Sequence, residues 1–224
     1  MALKPRALVL SGFWLTLVDA GPAAADVVGA GAWIGVAVAA IGALDWARNP
    51  ARKRGLWAFA LPLAAWAFAE QSFTAQGVTH GKLLPVGVAL AMALSGTEAA
   101  CGVVAAIYTL AGIAKLRGAG ALFCDPDYLG TLVLERAFHV AAPLAQLRLA
   151  LAESRSLLTL VALGTLILEL GGSLFVFHRA RRPLAFALVL MHAGIAVAMG
   201  YVYVQWAAVV LGLAFWTERS ANHR

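Results

Sequence analysis

Charge is what this chain has least of. Lysine, arginine, aspartate and glutamate make up 12% of its 224 residues and 62% are hydrophobic, whereas a soluble domain is roughly a quarter charged. Such a chain has too little polar surface to cover a water-facing fold, and it belongs in a bilayer. Only two cysteines are present, Cys101 and Cys124. They make no disulfide framework, and the lack of a CxxC excludes a thiol–disulfide relay. There is no HExxH and no paired-histidine spacing, so no metal is expected. A P-loop and a GxGxxG are missing, and no serine has nucleophile-elbow context. No internal repeat appears, which weighs against an inverted-repeat transporter. The net charge is +6, but basic residues are not interleaved with aromatics as single-strand binding requires. No nucleic-acid partner is expected.

What the chain does have is apolar runs. A spanning helix needs about 20 largely apolar residues. The run 7–20 is short and is expected to stop at Gly21-Pro22. The run 27–46 is full length, ends at Asn49-Pro50, and is followed by Arg52-Lys53-Arg54. The run 56–73 is a third span. The polar connection 71–82 holds His80. The stretch 83–116 is too long for one helix and divides at Ser95-Gly96-Thr97-Glu98 into 83–94 and 99–116. The long connection 117–156 alternates Tyr128, Leu129, Leu132, Val133 and Leu134 with Asp127, Glu135 and Arg136, the pattern of a helix lying in the interface. The run 157–177 is closed by a basic turn at 178–183. The stretch 184–216 divides near Gly200. The fold expected is all-α: a single integral-membrane domain over 1–224, with seven to eight membrane segments and one interfacial helix. The first run lacks a small-residue cleavage site before a polar region and reads as retained. With the N-terminus in the cytoplasm, eleven of the seventeen lysines and arginines fall on the inner side, in the shorter connections, as the positive-inside rule asks. The expected location is the bacterial inner membrane.

Seven ionisable positions fall in or beside these runs: Asp19, Asp45, Glu70, Glu98, Lys115, Glu169 and His192. Each costs about 2.5–3.5 kcal/mol at the centre of a spanning helix unless it finds a partner or water. A passive anchor does not need so many. Lys115, in IYTLAGIAKL, either snorkels to the headgroups or is a desolvated amine held for use as a base. His192, in VLMHAGIAVAMG, is either a neutral core histidine or a proton-handling group. Glu169, in LILELGGSLF, either pairs with a basic group or stays protonated. Gly171-Gly172 beside it permits close helix approach.

These residues stand in an order that resembles a known family. Tyr108, Ala111-Gly112 and Lys115-Leu116 give an aromatic, a small-residue step and a lysine–leucine pair at a span end. His80 opens the preceding span in THGKLL. Glu169 stands in a late span, with basic residues 179–182 after it, and His192 lies in the next span, before an aromatic-rich last segment. On this combination, over about 56–216, the chain resembles the transmembrane (HTTM) domain of vitamin K-dependent γ-carboxylase and its small bacterial relatives. Thr79 stands where the family has asparagine. The resemblance implies a membrane enzyme with reduced vitamin K or menaquinol as cofactor and dioxygen as co-substrate. By the same resemblance Lys115 is the base that deprotonates the hydroquinone. His80 and His192 are its catalytic partners, and Tyr108, Glu169 and Thr79 line the quinone site. In the family the oxygenated cofactor then takes a proton from a glutamate, which adds carbon dioxide. No counterpart of the family's large extramembrane part occurs here. The expected remnant is the quinol- and oxygen-dependent half, acting on a small molecule or a peptide presented by a partner membrane protein. The alternative is a non-catalytic integral subunit that scaffolds a partner complex.

Overall fold

Every regular element among the described residues is helical: ten α-helices, two short 3-10 turns, and no strand. The computed structural model describes residues 4–28, 31–73, 80–138 and 140–216, with side chains for all of these except 19–32 and 67–82. In chain order the helices are α1 (Pro5–Val28), α2 (Gly31–Arg48), α3 (Arg54–Phe73), α4 (His80–Ser95) and α5 (Thr97–Ala119). They continue as α6 (Pro126–Ala137), α7 (Ala142–Glu153), α8 (Arg155–Leu170), α9 (His178–Met199) and α10 (Val204–Phe215). The 3-10 turns, Gly120–Cys124 and Gly171–Val176, extend α5 and α8. Among the described residues three segments are long and apolar enough to cross a membrane, namely Thr97–Cys124, Arg155–Val176 and His178–Met199. Pro5–Val18, Leu83–Ser95 and Val204–Phe215 are apolar but shorter.

Glycine makes two of the breaks. Gly96 (φ +89°) separates α4 from α5, and Gly200 (φ +78°) ends α9. Residues with a side chain rarely adopt this left-handed conformation, so the helix stops where glycine allows it. Three expectations are corrected. First, α1 does not stop at Gly21-Pro22 but stays helical to Val28. Proline removes one backbone bond, but the remaining backbone groups on both sides keep their helical partners, so the helix continues. Second, residues 178–183 are not a turn but the start of α9, which follows the extended residue Phe177 (φ −86°, ψ 116°). Third, the connection 117–156 holds two helices, α6 and α7, rather than one. Asp125 starts α6 by accepting the Asp127 backbone N–H at 2.9 Å, with Pro126 at the first helical position.

The chain divides into two compact units, Met1–Val104 with Val204–Arg224, and Ala105–Tyr203. In the first, α1 packs on α10 and α2 packs on α3. Both pairs are close because glycine faces backbone. A Cβ on Gly12 would meet the Gln205 carbonyl oxygen at 2.8 Å, and one on Gly42 would meet the Gly55 oxygen and Phe59 nitrogen at 2.6 Å. This is small-residue packing, in which glycine lets two helix backbones approach closely. Phe13 fills the middle, stacked on Phe59 with centroids 4.3 Å apart and tilted against Trp46 at 5.6 Å. At one end Arg54 grips both oxygens of Asp45 at 3.0 and 3.1 Å. Lys53 donates to the Leu94 carbonyl at the end of α4, 3.2 Å away, where a helix terminus favours a cation.

In the second unit α6 lies on α8 and α9 through Leu129, Val133, Leu158, Ala162 and Ala198. Arg148 of α7 is 2% exposed. Its Nε donates to the Val197 carbonyl at 2.8 Å and its Nη1 to the Arg136 carbonyl at 2.7 Å. One guanidinium thus ties the ends of α9 and α6 together. Arg181 does a similar job locally, donating to the Phe175 and Val176 carbonyls at 3.0 and 3.1 Å.

Two stability predictions follow from these contacts. Gly42→Ala lowers the detergent-solubilised melting temperature, losing about 1–3 kcal/mol through backbone displacement. Gly164→Ala in α8, whose Cβ would meet nothing within 4 Å, is neutral or gains up to about 1 kcal/mol. Equal melting of the two refutes the close approach. Arg148→Lys keeps the charge but not the fork, so it loses about 1.5–3 kcal/mol for the charge-assisted bond it drops; unchanged melting refutes the tie.

Candidate functional site

Tyr108, Gly112 and Lys115 succeed one another at spacings of four and three residues, which puts them on one face of α5. That face meets the end of α8. A Cβ on Gly172 would lie 2.5 Å from the Tyr108 Cβ, and one on Gly112 would lie 3.0 Å from the Leu170 side chain. Glycine on both partners therefore lets the two backbones approach. Of the two neighbouring glycines it is Gly172 that makes the approach, since Gly171 faces open space. Glu169 precedes Gly172 by one turn and is brought to Lys115. The lysine Nζ bonds Oε1 at 2.6 Å and Oε2 at 2.7 Å. The carboxylate side chain is 7% exposed and the lysine 31%, so the pair is closed on the acid's side and reachable on the amine's. The Lys115 amine also stands 5.7 Å from the centre of the Phe123 ring, within cation–π range.

The second pair joins Tyr108 to α9. Its Oη and the His192 Nε2 are 2.8 Å apart in a buried hydrogen bond, the donor set by the imidazole tautomer. His192 meets the Tyr203 ring edge-on at 5.4 Å, and Tyr203 stacks on Tyr201 at 6.5 Å. Arg136 closes the series, donating to the Tyr201 Oη at 2.7 Å while lying 5.0 Å over its ring. Tyr108 shares its face of α5 with Lys115, so the two pairs stand side by side.

Chemically this is a set of exchangeable protons in an apolar surrounding. An ion pair survives there because each charge answers the other. Two of lysine's three N–H groups go to Glu169, leaving one for another acceptor. The phenol–imidazole pair can donate at one end and accept at the other. Among the described residues no three His, Cys, Asp or Glu side chains stand close enough to hold a metal ion.

Four of the expected site residues, Lys115, Glu169, Tyr108 and His192, therefore gather in one place. His80 is the first residue of α4; its side chain, and Thr79 altogether, lie outside the described residues. The ambiguous Glu169 is paired with a basic group. Asp45 is paired with Arg54, and Glu98 stands in the first turn of α5, where an acid is favoured. Sequence reasoning missed Phe123, Tyr203, Tyr201 and Arg136. The one available signal was the cluster Tyr201–Val202–Tyr203 directly after the helix that carries His192. No known protein family, no curated protein and no solved structure matches this chain.

Tyr203, outside the spanning segments, gives a test of this packing. Burial, and after it the neighbouring Tyr201, raises its ionisation above tyrosine's usual value near 10. A raised value means that folding favours the neutral phenol. That stability is complete below the unfolded value of about 10 and is lost as pH climbs through the folded one. Tyr203→Phe should thus lessen the alkaline loss of stability, measured by urea unfolding across that range. The same alkaline slope in the variant contradicts the burial of this ring.

Proposed function

We propose that this chain is a membrane enzyme that takes a proton from a hydroquinone of the vitamin K or menaquinol type in a dioxygen-dependent reaction, as the quinol half of a γ-carboxylase-like domain does. The observation that carries the reading is the bidentate Lys115–Glu169 contact beside the Tyr108–His192 bond. The donor set fits such a cofactor. It offers an amine with one N–H to spare, a phenol–imidazole pair, and aromatic rings at Phe123, Tyr108 and Tyr203 for a planar ring to lie among. When bound, a hydroquinone supplies a weakly acidic hydroxyl and, once deprotonated, the electrons that reduce dioxygen.

The residues' own part is proton handling. Lys115 passes one proton to Glu169 across their short bond, and the amine so formed accepts a proton from the bound hydroxyl. The pair then carries one proton more than before and the ligand one fewer. Return of that proton to water runs through the exposed side of Lys115, since Glu169 is closed off. With the His192 proton on Nδ1, Tyr108 donates to Nε2, and the phenol–imidazole pair orients a ligand hydroxyl. Exclusion of water strengthens each contact. The all-helical fold and the three apolar segments support placement in a bilayer. The inner membrane, a cytoplasmic N-terminus and seven to eight membrane segments are part of the same proposal, as is a small-molecule or partner-presented peptide substrate.

The test is oxidation of reduced vitamin K or menaquinol by the purified protein with and without dioxygen. Wild type is expected to turn over; Lys115→Ala and Glu169→Gln should each fall by at least about 10²-fold, the scale of a lost acid–base group. Leu160→Ala, on the exposed face of α8, should not. Equal turnover by Lys115→Ala, or none by folded wild type with either quinol, overturns the proposal.

A further inference from the structure

The second unit carries another polar cluster, joined to the two pairs only by way of Arg136 and Tyr201. An open surface cavity of about 480 Å³ is lined by Thr131, Leu134, Glu135, Arg136 and Phe138, all of them exposed; the first four lie on α6 and Phe138 ends it.

The charges in this cavity are of both signs and do not cancel. Glu135 and Arg136 are consecutive, and consecutive residues on a helix do not face each other. Among the described residues the Glu135 carboxylate enters no ion pair. The Arg136 guanidinium spends one donor on the Tyr201 Oη and keeps the rest for an anion. Thr131 lies one turn before Glu135, and its hydroxyl donates to the Asp127 carbonyl at 2.8 Å. Its oxygen therefore offers lone pairs on the carboxylate's face, where a primary ammonium finds two kinds of acceptor. Leu134 and Phe138, also one turn apart, make an apolar wall that is 40% and 76% exposed.

Depth decides what kind of zwitterion this is. The packing of α6 involves Leu158 near the start of α8 and Ala198 near the end of α9. Those are the ends of two segments long enough to cross a bilayer. The cavity thus lies where a spanning helix leaves the hydrocarbon, at headgroup level. An exposed apolar wall at that level meets acyl chains rather than water.

We propose that this cavity binds the headgroup of an aminophospholipid, with the phosphate on Arg136, the primary ammonium on Glu135 and Thr131, and the acyl chains beginning along Leu134 and Phe138. A choline headgroup has no N–H to donate and a glycerol headgroup has no cation, so each forfeits one half of the site. This inference does not depend on the quinol chemistry.

The experiment is native mass spectrometry of the full chain in detergent, titrated with phosphatidylethanolamine, phosphatidylcholine and phosphatidylglycerol of identical acyl chains. Wild type is expected to bind phosphatidylethanolamine about tenfold more tightly than either of the others, the scale of one charge-assisted bond. Arg136→Gln should weaken all three. Because Arg136 also holds Tyr201, the deciding variant is Glu135→Gln, whose side chain bonds nothing described. It should keep its helicity by circular dichroism and lose the preference over phosphatidylcholine. Equal binding of the three lipids by wild type, or a preference unchanged in Glu135→Gln, overturns the proposal. Soluble glycerophosphoethanolamine should fail to displace the lipid; displacement would overturn the lipid assignment in favour of a soluble zwitterion.

Discussion

Lys115 and Glu169 set where α5 and α8 stand along one another. Their contact of 2.6 and 2.7 Å tolerates little sliding, because either charge left alone in an apolar surrounding is costly. Everything else at the site takes its position from that register. Gly172 falls opposite Tyr108 and Gly112 opposite Leu170, so the helices close only in the alignment that pairs the charges. Tyr108 is then in place to meet His192 from α9. Ion pair and glycine contacts select the same alignment, the agreement between levels that a well-specified fold requires.

Elsewhere the chain answers its cations differently. Arg148, Arg181 and Lys53 are bonded to backbone carbonyls at the ends of helices and turns. Carbonyls in the last turn of a helix have no partner inside it, and a cation there satisfies both. A sequence with only eleven acidic residues against seventeen basic ones cannot pair every cation with a carboxylate. The unused carbonyls take up part of the difference. Glu169 stands out against this background as an acid reserved for one lysine in the interior.

Much of this was legible beforehand because it is local. The breaks at Gly96 and Gly200 follow from a residue type that tolerates a positive φ, and the shared face of Tyr108 and Lys115 follows from helical spacing. The stop expected at Gly21-Pro22 was wrong because one proline removes a single backbone bond, and the helix on either side of it keeps the rest. The basic residues 178–183 look like a surface turn until Arg181 is seen buried against two carbonyls. Partners were the hardest to foresee. Lys115 and Glu169 are 54 positions apart and Tyr108 and His192 are 84 apart, and no periodicity links positions on different helices. Lys115, Glu169 and His192 stood out as ionisable residues in apolar runs, and Tyr108 only through the expected family pattern; that they meet is a matter of three-dimensional packing.

Arg181 carries one more implication, for the order in which the molecule assembles. Two of its bonds reach back only six and five residues, so closing them costs little chain entropy. The corner between the 3-10 turn and α9 can form early, from residues close in sequence. Such a corner presents α8 and α9 as a preformed hairpin rather than as two independent helices. The long-range contacts of Tyr108 and Lys115 are then made by docking one finished hairpin against α5, a search over a few rigid arrangements instead of many flexible ones.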